Sequence, residues 1–296
     1  MSQSIIFTRR QEIIERTAEL ICMSKMMRDI DSKDDDEHER TWQTFLKRQS
    51  PQEFGWLAIM ETLWVGQKNR ILRNMRDNPI KSVKGINEQE ASQIVDSWMF
   101  DMSEEIGTFS KAGRPQIRDG VDAGGKLALT AVGSFTEFDS NLELIQSWIN
   151  SKTLTFSTTV NQTTDTALRA MLKQSIMDGD GAPQMARQVR DVFARWNGEG
   201  IEMSRALRIA RTESTGAVNY GVNEGYKQSD VVTGNTWIAA RDERTRHDHL
   251  SVSGTTVNLG TRFPIVGLEY PGDPSGSLGQ IINCRCTLLA SFEKVD

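Results

Sequence analysis

The sequence predicts an α+β protein: a mainly helical N-terminal half, then a C-terminal domain of helices followed by a small irregular antiparallel sheet. Three observations predict it. Apolar residues recur at helical spacing through most of the first two hundred positions. The β-branched runs that can serve as strands come late, after Val231. Gly254, Gly260, Gly267 and Pro271-Gly-Asp-Pro274 then cut that late region into short pieces.

The totals set the frame. A chain of 296 residues has room for one large domain or two ordinary ones. With 38% hydrophobic and 25% charged residues it can pack a core. Its mean hydropathy of -0.46 suits a helix-rich chain with much exposed surface. A net charge of -5 excludes a globally basic nucleic-acid binder but leaves room for a local basic patch. Three cysteines make no disulfide framework, so reduced thiols are expected. Met1 to Glu12 lacks the layout of a signal peptide, and no window approaches the ~18 apolar residues of a membrane span, so no membrane association is expected.

Residues 1–150 are read as a helical docking or scaffolding region. Ile5 to about Met27 carries apolar residues at helix-face spacing. The acidic run Asp29–Glu39 is expected to be a solvated loop or frayed helix end, since it has no glycine to make a calcium loop. A second helix starts near Trp42, is expected to be interrupted at Pro51, and resumes through Trp56, Met60, Leu63 and Trp64 to stop at Asn78-Pro79. Its aromatic stripe is read as a core face rather than a cofactor or partner pocket. Ile86 to Phe109 is a further helix, with Gly113-Arg-Pro115 breaking the pattern. Asp119–Gly133 is rich in small residues. Its Gly124-Gly-Lys126 lacks the glycine spacing and Ser/Thr of a phosphate loop, so a close-packed helix is expected. Leu142–Trp148 reads as a short helix.

Residues 151–296 are read as the second domain, beginning with Ser151–Thr164 as a β-branched connector. Thr164 or Asp165 is expected to cap a helix running through Ile176. Gly179 should stop it, and Pro183 should open the next helix, which ends at Trp196-Asn-Gly198. Ile201 to about Gln228 is the best-defined helix. Val231–Ala240, Thr255–Val257, Phe263–Val266 and Ile281–Leu289 are expected strands or extended segments.

Chemistry-bearing residues concentrate in two places. Arg187 and Arg190, with Arg205, Arg208 and Arg211 at three-residue steps, are candidate contacts for double-stranded DNA phosphates; the alternative is a solvated face paired with Glu202 and Glu213. His247, His249, Cys284 and Cys286 are the residue types that hold zinc. A packed thiol–imidazole knot is preferred, so no cofactor is expected, with zinc as the alternative. A metal-dependent nuclease or other hydrolase using this cluster, with Asp242, Asp248 and Asn283, is the enzymatic alternative. No residue is assigned a catalytic role. Asp242, Arg244 and Arg246 are read as ion-pair and hydrogen-bond partners tying a loop to strand ends.

The order of these pieces resembles the phage head morphogenesis family, the Mu F-like minor head proteins of tailed bacteriophages. The matching residues are Trp237, Asp242, Arg244-Thr245-Arg246, His249, Gly254, Phe263, Pro271-Gly-Asp273-Pro274 and Asn283-Cys284-Arg285-Cys286. Arg208-Ile-Ala-Arg-Thr-Glu213, Asn219 and Gly225 precede them. The resemblance covers about Asp165 to Ser291. It implies a non-enzymatic virion component added to the procapsid in the host cytoplasm, inside the capsid or at the portal vertex. Its implied partners are the portal, scaffold or major capsid protein. Some relatives carry Cys-x-x-Cys and His-x-x-Cys-x-Cys; here Arg246, His249 and Ile281 stand at three of those positions.

Overall fold

The computed structural model describes residues 33–80, 83–198 and 204–294. The expected helix over Ile5–Met27 lies outside the described residues. In order, the elements are helices α1 (Lys33–Asp77), α2 (Glu88–Trp98), α3 (Met102–Ala131), α4 (Glu143–Met177), α5 (Ala182–Asn197) and α6 (Arg205–Gln228). Strand β1 (Gly234–Ile238), helix α7 (His247–Ser251), strand β2 (Thr256–Asn258), helix α8 (Leu278–Ile281) and strand β3 (Thr287–Ser291) complete the chain. The α+β expectation holds, with the strands forming one antiparallel sheet in the order β2-β1-β3.

Helix α1 runs 45 residues without stopping at Pro51. The ring sits on an exposed position, so the missing N–H and the freed carbonyl face water. Phe45 before it and Trp56 after it are buried in one core, which carries the helix through. The acidic run is in part the start of this helix, not a loop, with Asp36 and Glu37 exposed. The aromatic stripe is a core face as expected: Trp42, Phe45, Trp56, Met60 and Trp64 are all buried.

The single helix expected over Ile86–Phe109 is two. Asn87 opens α2 with a reciprocal cap to Glu90, and Asp101 accepts from the Glu104 amide to open α3. Between them Met99 and Phe100 turn inward and are buried. The break expected at Gly113-Arg-Pro115 does not occur, because Pro115 again points to solvent while Gly113 lies against Phe156 and Trp56.

The Ser151–Thr164 connector and the cap at Thr164 or Asp165 are also overturned: α4 is continuous for 35 residues, and the 150/151 division falls inside it. Its threonines satisfy their hydroxyls within the helix, Thr153 on the Ile149 carbonyl (2.6 Å) and Thr164 on that of Val160 (2.7 Å). Ile145, Ile149, Phe156, Val160, Leu168 and Leu172 form one buried stripe across the region. The turn at Gly179, the Pro183 start and the Gly198 stop of α5 are as expected, both glycines being left-handed.

The small-residue segment of α3 packs directly on α6. A Cβ on Gly124 would lie 2.0 Å from the Val218 carbonyl oxygen, and one on Gly221 would lie 2.1 Å from that of Val121. The two backbones therefore touch, and α6 is buried almost all round from Glu213 to Tyr226. The other elements assemble on this pair. Trp237 and Leu288 of the sheet join the main core, whereas Ile238 and Leu289 pack with Trp42 of α1. The extended segment expected over Phe263–Val266 is a turn instead, with Ile265 left-handed (φ 68°). Of Ile281–Leu289, only the end is strand; its start closes α8.

Candidate functional site

The Asn283-Cys284-Arg285-Cys286 segment between α8 and β3 is held by side chains of α6 and α1. The Asn283 amide donates to Thr212 Oγ1 (2.8 Å). Thr215 Oγ1 donates to the Cys284 carbonyl (2.7 Å), Trp42 Nε1 to that of Arg285 (3.0 Å) and Asn219 Nδ2 to that of Cys286 (2.9 Å). Thr287 Oγ1 donates back to Asn219 Oδ1 (2.9 Å). Asn283 is left-handed (φ 59°), a conformation that asparagine tolerates. Its side-chain oxygen accepts from Arg211 (3.0 Å), which also pairs with Glu53 of α1 (3.2 Å). Burial pushes the Glu53 carboxyl up, against the pull of Arg211.

A second set of contacts ties the segment to the turn after β1. Arg285 forks onto both oxygens of Asp242. Asp242 Oδ1 also accepts from the Arg244 amide (3.0 Å) and the Thr245 hydroxyl (3.1 Å). Thr245 reaches the Ala240 carbonyl, and Arg246 reaches that of Ile282. Burial raises the Asp242 carboxyl, but Arg285 and these donors outweigh it and hold the group below its ordinary value. The reading of Asp242 and Arg246 as loop ties is therefore realised, with Arg285 as the partner; the Arg244 side chain is exposed.

The remaining matched residues shape turns. Gly254 is left-handed (φ 82°) and its amide donates to the Trp237 carbonyl (2.8 Å). Gly272 is left-handed (φ 85°), and a Cβ there would sit 2.7 Å from Gly216 Cα, so Pro271-Gly-Asp docks backbone to backbone on α6. Asp273 then closes its own turn on the amides of Glu269 (3.1 Å) and Ser275 (2.9 Å).

His249, Cys284 and Cys286 converge, all buried, with their donor atoms within 4.8 Å of one another. His249 Nδ1 lies 3.4 Å from Cys286 Sγ and 3.6 Å from Cys284 Sγ. Trp237 meets the imidazole edge-on at 5.2 Å. Contact with the Cys286 thiol, and then with His249, holds Cys284 well below the usual thiol range, while burial pushes Cys286 well above it. His247 does not join them. The segment is helical rather than extended, so residues two apart diverge, and His247 is exposed beside Ser251. The four-donor zinc set and the hydrolase constellation both lose that ligand.

The arginine strip is split as well. Arg205 lies over Trp196 (4.5 Å) and Trp64 (5.2 Å) and donates to Thr164 Oγ1 (3.0 Å) and the Val160 carbonyl (3.1 Å). Burial lowers its pKa to about 10. Arg211 is committed to Asn283 and Glu53, while Arg187, Arg190 and Arg208 remain exposed. The expected pairing of this strip with Glu213 is not found: Glu213 bonds Lys152 of α4 (3.0 Å). Glu202 lies outside the described residues.

Sequence reasoning passed over Thr215 and gave the matched Thr212 and Asn219 no role; these three carry the clamp, and Asn223, bonded to Glu269 and Asn235, continues their row. Their spacing of three, four and four puts them on one face of α6, a polar row where a buried helix should be apolar. It also passed over Gln280 and gave Asp248 a place only in the hydrolase constellation, whereas the two position His249: Gln280 Oε1 lies 2.8 Å from Nε2, and Gln280 Nε2 donates to Asp248 (3.0 Å). Nothing in their spacing signals that pairing.

Comparison with known proteins falls on the same region. Residues 166–289 match the family described as Phage Mu protein F like protein. This segment is similar to the Mu F-like family. The clamp from α6 to the Asn283–Cys286 segment and the Asp242–Arg285 fork both lie inside the Mu F-like segment. An NAD(+)–arginine ADP-ribosyltransferase, EFV, of Enterococcus faecalis is 34% identical over 103 residues, 33% of this chain and 21% of that protein. An uncharacterized protein, YqbB, of Bacillus subtilis is 23% identical over 147 residues, 48% of this chain and 46% of that protein. The chain thus spans under half the length of the curated relatives it matches. No solved structure gives a significant match.

Proposed function

We propose that the protein is a structural minor head protein of a tailed phage, incorporated as the procapsid assembles in the host cytoplasm. The carrying observation is the Mu F-like segment, whose polar residues are spent on bracing one another and the backbone. A brace of this kind gives a rigid surface for docking. The helical region ahead of it would supply the contacts with portal, scaffold or major capsid protein, near the portal vertex. No helix among the described residues is long and apolar enough to cross a membrane. The test is co-assembly: the tagged chain should co-sediment with purified portal rings and with procapsids. Absence from both, with normal virions formed in a deletion strain, refutes the reading.

Contact with packaged DNA is the finer part of this proposal. Arg187, Arg190 and Arg208 are its exposed carriers, Arg205 and Arg211 being held internally. Reversing Arg187 and Arg190 to Glu should weaken DNA binding and flatten its salt dependence by about one unit of slope for each phosphate no longer neutralised. An unchanged slope removes DNA from the proposal.

A further inference from the structure

We propose that His249 Nδ1, Cys284 Sγ and Cys286 Sγ form a three-donor site for a thiophilic divalent ion, zinc being the chemical match, and that Gln280, held by Asp248, is its positioning residue. Gln280 spends its amide N–H on Asp248 Oδ2, so its oxygen faces the imidazole at 2.8 Å. That oxygen can only accept. His249 therefore carries its proton on Nε2 and turns the Nδ1 lone pair toward both sulfurs. One lone pair cannot satisfy two thiol protons, whereas one metal ion satisfies all three donors.

The spacing fits. With Zn–N near 2.0–2.1 Å and Zn–S near 2.3 Å, the N···S edge of a tetrahedron is about 3.6 Å. The observed separations are 3.4 and 3.6 Å. N–H groups lie against both sulfurs. The Cys286 amide donates to Cys284 Sγ (3.4 Å). The buried Trp237 indole N–H has no hydrogen-bond partner of ordinary geometry and acts, with the Ala240 amide, on the Cys286 sulfur. Binding forms one Zn–N and two Zn–S bonds and releases two thiol protons to solvent. A doubly charged ion with two thiolates is neutral, which is what a buried site needs. Among the described residues no fourth His, Cys, Asp or Glu joins the three.

Such an ion would link α7 to the strand entering the sheet and would reinforce the brace without any reaction. The inference stands apart from the head-protein reading, because metal binding and co-assembly are measured separately. The full chain, reduced and free of metal, is titrated with Co(II) and then Zn(II). One equivalent of cobalt should bind with thiolate-to-cobalt charge-transfer absorption, and zinc should bleach it. His247→Ala should keep the metal, and Cys284→Ser and His249→Ala should lose it. Gln280→Leu should keep the fold by circular dichroism while weakening zinc about 10- to 100-fold, as loss of a group supporting a ligand does. Imidazole ¹⁵N shifts should show His249 protonated at Nε2 in the wild type and mixed tautomers in Gln280→Leu. Folded, reduced wild type that takes up neither ion, or cobalt bound without sulfur charge transfer, overturns the site. Unaltered zinc affinity in Gln280→Leu overturns the positioning role.

Discussion

Asn219→Ala is the sharpest single test of the clamp. The asparagine makes two hydrogen bonds, each 2.9 Å, one to the Cys286 carbonyl and one from the Thr287 hydroxyl. All three residues are buried. Truncation strands an acceptor and a donor where water does not replace the partner. Each buried orphan costs about 1–3 kcal/mol, so the variant should lose roughly 2–5 kcal/mol. At about 2–4 °C of Tm per kcal/mol for a chain of this size class, the midpoint should fall by roughly 4–20 °C. Circular dichroism and tryptophan fluorescence on heating measure it. Thr287→Val in the Asn219→Ala background should cost less than in the wild type, because its hydroxyl no longer has a partner, by a coupling of about 0.5–3 kcal/mol. A loss under about 0.5 kcal/mol with additive effects of the two substitutions refutes the reasoning, since it means the segment is not held by Asn219.

Three further outcomes are expected. Gly221→Ala should cost well above 1 kcal/mol or block folding, because its Cβ meets the Val121 carbonyl at 2.1 Å. Gly107→Ala, on the facing α3 but with nothing within 4 Å, should instead stabilise by about 0.5–1 kcal/mol; denaturant midpoints compare the two. Asp242 has a folded pKa below its unfolded value, so its contribution is present above the unfolded pKa and lost as pH falls through the folded one. Asp242→Asn should therefore be clearly less stable than wild type at neutral pH and converge on it as the pH falls through the folded pKa of Asp242, read by urea unfolding across pH. Arg205→Ala should lower stability by about 1–3 kcal/mol by removing its stacking on Trp64 and Trp196 and its hydrogen bonds. Arg190→Ala, at an exposed position, should stay within about 0.5 kcal/mol.

The sequence misled where composition stood in for periodicity. Ser151–Thr164 looks like a connector because threonine favours strands and turns. The stripe Ile145, Ile149, Phe156, Val160, Leu168, Leu172 runs straight through it at helical spacing, and the hydroxyls bond inside the helix. Pro51 and Pro115 misled in the same way: a proline on a solvent face loses one hydrogen bond, and a core on both sides of it outweighs that loss. Local stops with no such competition, at Asn78-Pro79, Gly179 and Gly198, were fully legible.

At the site, the matched residues told which chain segments matter but not how they meet. Asp242 and Arg285 are 43 positions apart and their pairing is set by the register of β1 on β3. His249 was separable from His247 only once α7 was known to be helical, since a His-x-His pair shares a face in a strand and not in a helix. Arg205 could not be told from Arg208 without Trp64 and Trp196, which come from two other helices.

Hydrogen exchange of the 282–287 amides puts the brace most directly to the test. With the Asn283 amide bonded to Thr212 and the carbonyls of Cys284, Arg285 and Cys286 held by Thr215, Trp42 and Asn219, the segment should exchange only through global unfolding in the wild type, and faster in Asn219→Ala. Exchange of the wild-type segment within seconds, at the rate of an open loop, would show side chains facing a water-filled cleft and would contradict a bracing role.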